Sequence, residues 1–230
     1  MNINPVYLLI LIPALLAWLA HARVRKVYEN HSETSNKHNV SGKDAARQLL
    51  DRHELSKVNI ESVSGNLTDH YDPITKTLRL SKDIAFSESI TALGIVAHEV
   101  GHAIQDAEGY YLMRLRTSMA LRISAAAQWS TVIFIGGIIF RIPALMVVAG
   151  LLMFGLLVFT LVTLPVERNA SKRAINMLEH TNLIREDEKS AVRQVLNAAA
   201  FTYLAAFGQR IASFLFFVVV ILLARGAPIQ

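Results

Sequence analysis

The run 142–164 spans 23 residues without one ionisable side chain. As a helix rising 1.5 Å per residue it would extend about 34 Å, enough to cross a hydrocarbon core about 30 Å thick. A helix buried in a soluble core rarely needs such a length. Three further apolar blocks lie at 5–20, 124–140 and 211–224, separated by strongly polar stretches. Hydrophobic residues make up 53% of the 230-residue chain, and it is their segregation into blocks that indicates a membrane protein carrying a modest polar domain.

The blocks predict about four transmembrane helices. Arg141 alone separates the second block from the third, so the two should form a helical hairpin. The fourth is short and is expected to borrow a turn from the apolar segment 198–207. The first resembles a signal peptide in length. Its basic cluster, Arg23, Arg25 and Lys26, follows the apolar run rather than preceding it, so it reads as a retained anchor.

Lys and Arg also set the expected orientation. Arg114, Arg116 and Arg122 precede the second block, Arg168, Lys172 and Arg173 follow the third, and Arg210 precedes the fourth. The positive-inside rule then puts both termini outside and the polar regions in the cytoplasm. The same reasoning assigns the net charge of +5 to span ends and anionic lipid, with no nucleic-acid partner. The absence of cysteine excludes disulfides, thiolate metal ligands and a cysteine nucleophile.

The polar stretches carry their own patterns. Residues 31–40 (HSETSNKHNV) read as a linker. A helix follows, with Ser41 as N-cap and Ala45, Ala46, Leu49 and Leu50 on one face. Residues 58–63 alternate apolar and polar, Asp72-Pro73 marks a turn, and 77–80 alternates again, so two or three short strands are expected. The next helix, with Ser87 as its expected N-cap, contains His98-Glu99-Val100-Gly101-His102.

That pentapeptide carries chemistry. Histidines four apart on a helix share a face, so His98 and His102 can aim two imidazole nitrogens at one zinc ion. Glu99 lies about 100° round the helix, where it reaches a water on the metal rather than the metal itself. A zinc ion lowers the pKa of such a water to about 7, and a neighbouring carboxylate can take its proton and return it to the leaving amine. Gly101 suits a place where a neighbouring backbone comes close. The bland alternative is a charged, solvated helix face, but Leu93, Ile95, Val96 and Ala97 just before the motif argue for burial.

A catalytic zinc usually takes three protein ligands plus water. Asp106 sits a further turn along, too far down the axis. Glu167, just after the third apolar block, is the better candidate and is expected to begin a helical segment there. Its alternative is a surface carboxylate paired with Arg168 or Lys172. The cluster Asp69, His70, Tyr71 and Asp72 has two readings. Either His70 or Tyr71 stabilises an oxyanion beside an edge strand at 77–80 that pairs with substrate backbone, or the cluster is an Asp-Pro turn capped by Asp72. Tyr203 is a further oxyanion candidate or an ordinary interfacial tyrosine.

LTDHYDP (67–73), TLRLS (77–81), AHEVGHAIQ (97–105), LPVERNASKRA (164–174) and VLNAAAFTYLAA (195–206) together resemble the YugP-type neutral zinc metallopeptidases of bacterial membranes. The resemblance implies zinc ligands at His98, His102 and Glu167 and a general base at Glu99. It also implies a gluzincin-like site, in which an acid four residues after the ligand glutamate orients a ligand histidine. Here that position is Ser171, with Asn169 two before it, so the carboxylate orienter is missing or supplied elsewhere.

The expectation is therefore a mainly α membrane protein with a small α+β zincin-like catalytic domain. It comprises an anchor at 5–20, a polar region at 21–123, a hairpin at 124–164, a helical region at 165–210 and a last span at 211–224, all forming one catalytic unit. It would sit in a bacterial inner membrane as a multi-pass zinc metalloendopeptidase acting on membrane-associated peptides or proteins, with a homo-oligomer or a regulatory membrane partner allowed. The rival readings are a non-catalytic zinc-binding scaffold or partner-binding protein, against which Glu99 speaks, and a transporter, against which the near absence of ionisable residues in the spans speaks.

Overall fold

The computed structural model describes residues 5–65 and 68–226. The chain divides into two units. One takes His21–Arg114 and Pro165–Phe201; the other takes Leu115–Leu164 with the described parts of Met1–Ala20 and Thr202–Gln230. The molecule is mainly helical, with one small sheet.

In the first unit, α2 (Gly42–Arg52) follows Ser41, whose side chain accepts from the Asp44 N–H. Its apolar face, Ala45, Ala46, Leu49 and Leu50, is fully buried, the arrangement that the periodicity predicts. Three strands follow: β1 (Asn59–Val63), β2 (His70–Asp72) and β3 (Thr77–Ser81). Their order is β1-β3-β2, with β1 parallel to β3 in the register Asn59↔Thr77 and β2 antiparallel in the register Tyr71↔Leu78.

β3 is thus the central strand, which corrects the expectation that 77–80 forms a substrate-pairing edge. Its neighbours occupy both sides, and Leu78 and Leu80 are fully buried. Arg79 at its centre pairs with Glu61 of β1 at 3.1 Å and with Asp72 of β2 at 2.8 Å, so one cation ties the two edges to the middle.

After the short α3 (Lys82–Ala85), α4 (Ile90–Ala107) carries the histidine pair. Its N-cap is Ser89, which accepts from the Ala92 N–H, and not Ser87. Ser87 instead accepts from the Ser89 N–H and donates to the Ser89 hydroxyl. The segment 33–40 is no free linker either. Ser35 bridges to Ser89, and Asn36, 1% exposed, donates to the Val40 and Glu88 carbonyls while accepting from the His38 and Val40 N–H groups. A turn-forming asparagine gives the same polar composition as a linker, and only its hydrogen bonds distinguish the two.

Four longer helices contribute to both units: α1 (Pro5–Ser32), α5 (Tyr111–Ile139), α6 (Pro143–His180) and α7 (Lys189–Gly226). Residues 140–142 join α5 to α6, with Arg141 at φ 53° and Pro143 at the first helical position. In the second unit Phe134 packs on Phe217 with ring centroids 3.9 Å apart, beside Met146, Ala149 and Met153. Large apolar side chains such as Trp129, Ile139, Phe140, Leu151 and Leu222 face outward.

Among the described residues two helices are long and apolar enough to cross a membrane, Pro143–His180 and Lys189–Leu222, fewer than the four expected. Block 124–140 supplies only the shorter apolar helix Trp129–Ile139. Block 5–20 lies in α1, whose side chains are described only from Leu11 onward. Blocks 198–207 and 211–224 lie in the one helix α7. α6 likewise runs unbroken through Pro165, so Glu167 lies well inside a helix and does not begin one. A proline within a long helix removes one donor without ending it.

Candidate metal centre

α4 presents His98 and His102 one turn apart, with ring centroids 4.8 Å apart and planes crossed at 86°. From α6, in the same unit, comes Glu167, 2% exposed. Its Oε2 lies 3.0 Å from His98 Nε2 and 3.5 Å from His102 Nε2. One donor atom from each residue falls within 4.8 Å of the others. Two donors each about 2.0–2.1 Å from a tetrahedral zinc lie about 3.3–3.4 Å apart, so the Glu167 oxygen stands from both nitrogens at close to the separation that a shared ion requires. Two neutral imidazoles and one carboxylate also match zinc in donor type, and the residues fit the metal.

The far nitrogens of both rings are engaged. His98 Nδ1 lies 3.2 Å from the Ser171 hydroxyl, and His102 Nδ1 lies 2.9 Å from Gln105 Oε1. A hydroxyl and an amide therefore stand where the resemblance anticipates an acid. Gln105 carried no expected role, although it closes the motif AHEVGHAIQ; its place three residues after His102, on the same helix face, was the available signal.

Glu99 Oε2 accepts from the Tyr71 backbone N–H at 2.9 Å. Burial pushes its carboxyl up to about 7, with the charges of Glu167 and Asp69 adding and those of His98 and the Tyr71 N–H opposing. β2 is held in turn by the Tyr71 hydroxyl, which donates to Asp106 Oδ2 at 2.7 Å. Burial and this acceptor raise the phenol far above its ordinary range, so it stays a donor. Asp106 also pairs with Lys76, and so serves this clamp.

The remaining candidates fall elsewhere. His70 is exposed, with Nδ1 2.7 Å from the Thr68 carbonyl. Asp69 accepts from the Ser81 N–H and hydroxyl. Asp72 accepts from the Ile74 and Thr75 N–H groups, the capped Asp-Pro turn. Tyr203 lies on α7 in the other unit.

Comparison with known proteins agrees with this geometry. A family model described as "putative neutral zinc metallopeptidase" matches residues 6–222. The Bacillus subtilis (strain 168) protein described as "putative membrane protease YugP" is 36% identical over 210 residues, covering 91% of this chain and 93% of that protein. No solved structure matches the chain. Sequence, buried histidine–glutamate cluster and full-length similarity converge, and the chain belongs to this family of neutral zinc metallopeptidases.

Proposed function

We propose that this protein is an integral-membrane zinc endopeptidase whose site is built from His98, His102, Glu167 and Glu99. The observation that carries the reading is the convergence of three buried donor atoms from α4 and α6 at the spacing of a shared ion. His98 and His102 would offer Nε2 and Glu167 an oxygen, leaving a fourth position open. When bound, zinc supplies Lewis-acid polarisation of the scissile carbonyl and an activated water. Glu99 neighbours the ligand pair in sequence and is steadied by the Tyr71 N–H; it takes the proton of the attacking water and delivers it to the leaving nitrogen.

Two apolar helices and a relative described as a membrane protease support membrane-associated proteins, or their exposed ends, as substrates. The arginine and lysine pattern supports a multi-pass protein with this site on the cytoplasmic side. The test is metal content together with the Glu99→Gln variant. Purified protein should hold about one zinc per chain, and the variant should keep the zinc while cleavage, followed by mapping new termini in membrane proteomes, disappears. Undiminished cleavage by the variant would sink the mechanism.

A further inference from the structure

Behind His102 runs a chain of hydrogen bonds whose direction is fixed at both far ends. Arg173 can only donate. Its Nη1 and Nη2 engage the two oxygens of Glu108 at 2.9 and 2.6 Å, and its Nε donates to Asn169 Oδ1 at 2.8 Å. The oxygen of the Asn169 amide is thereby turned toward Arg173. The same oxygen accepts from Gln105 Nε2 at 2.9 Å. Gln105 Nε2 also donates to the Val166 carbonyl at 2.9 Å, an atom that can only accept. Two independent anchors therefore orient the Gln105 amide, which is fully buried. A flipped amide would set oxygen against oxygen at both anchors, with no solvent to relieve it.

With its nitrogen so committed, Gln105 turns Oε1 to His102 Nδ1 at 2.9 Å. An amide oxygen only accepts, so Nδ1 carries the ring proton. A neutral imidazole has one such proton, and Nε2, on the Glu167 side, is left with its lone pair. We infer that Arg173, Asn169 and Gln105 are positioning residues that fix His102 in the Nδ1–H tautomer, readying Nε2 for a metal ion. The inference rests on the metal-site reading for its purpose, but the tautomer is a property of the chain alone. The device gives orientation without a second negative charge, whereas a carboxylate in the place of Gln105 would also raise ligand basicity.

The test uses full-length protein labelled with ¹⁵N-histidine, in detergent and stripped of metal, at mildly alkaline pH. Two-bond ¹⁵N–¹H correlations, assigned with a His102→Gln variant, should show His102 protonated at Nδ1 before any zinc is added. Arg173→Met should mix the tautomers and weaken zinc binding about tenfold; Gln105→Leu should do so about a hundredfold, the two ends of the range for groups behind a metal ligand. Adding Asn169→Asp to Arg173→Met should restore the single tautomer, because both carboxylate oxygens accept; a purely structural role for Arg173 would not be rescued this way. An Nε2–H signal for His102 in the wild type overturns the inference. So does an unchanged tautomer and zinc affinity in both Arg173→Met and Gln105→Leu. A wild type that shows the Nδ1–H tautomer yet binds no zinc upholds the chain and refutes the metal site.

Discussion

Gly101 meets the backbone of Ala170 so closely that a β-carbon on Gly101 would lie 2.8 Å from the Ala170 carbonyl oxygen and 3.3 Å from its Cα. The glycine inside the histidine pair is thus what lets α6 come down onto α4, three residues after Glu167. Gly101→Ala gains up to about 1 kcal/mol of helix propensity but meets backbone that cannot swing aside, an overpacking cost of about 1–3 kcal/mol. The variant should unfold at lower temperature and lose zinc affinity as Glu167 is pushed from His98. Zinc titration and thermal melting check this; an unaltered zinc affinity would show that the close contact does not set the ligand spacing.

Asp72 sits between the turn at 73–75 and the central strand. The Arg79 guanidinium and then the Thr75 hydroxyl hold its carboxyl well below the usual carboxylate range. A carboxyl depressed in the folded state stabilises the fold above its unfolded pKa near 4, and that contribution fades as pH falls through the folded value. Both side chains of the pair keep about a fifth to a quarter of their surface exposed, so the contribution is modest, on the order of 1 kcal/mol. Asp72→Asn should therefore melt below the wild type at pH 6–7, with the gap narrowing below about pH 4. A gap that stays constant from pH 7 to pH 3 would count against the pairing.

The parts legible in the sequence were those that local periodicity governs. Ser41 and the Ala45–Leu49 face of α2, the short strands, and the single face shared by His98 and His102 all follow from spacing within a few residues. What escaped depends on partners distant in the chain. The alternation in 77–80 is the same whether one neighbour pairs with the strand or two, and β1 and β2 together make it central. Ser87 and Ser89 are equal as caps until Ser35 bridges to Ser89. Glu167 reads as the start of a helix after the third apolar block, yet α6 runs through Pro165 and past it. At the site, Gln105 went without a role because its task is fixed by Val166 and Asn169, some sixty residues on.

The membrane orientation can be read from one position. His38 is exposed in the segment that Asn36 pins, and the chain has no cysteine of its own, so His38→Cys creates a single reporter. With the first unit in the cytoplasm, this cysteine should resist an impermeant maleimide in intact cells and react once the membrane is opened. Ready labelling of intact cells would reverse the orientation that the arginines and lysines predict.

Glu167 separates metal binding from folding. Its carboxylate is 2% exposed, and a buried charge costs stability unless a cation compensates it. Glu167→Gln keeps the shape and the reach toward His98 Nε2 while removing the charge, so the metal-free variant should melt close to the metal-free wild type. Zinc should then raise the melting temperature of the wild type with the logarithm of the ratio of its concentration to the dissociation constant, and leave the variant almost unmoved. A Glu167→Ala variant should behave alike toward zinc, with an added loss of stability from the cavity. Metal-dependent stabilisation as large in Glu167→Gln as in the wild type would remove Glu167 from the ligand set, leaving His98 and His102 to bind with some other partner.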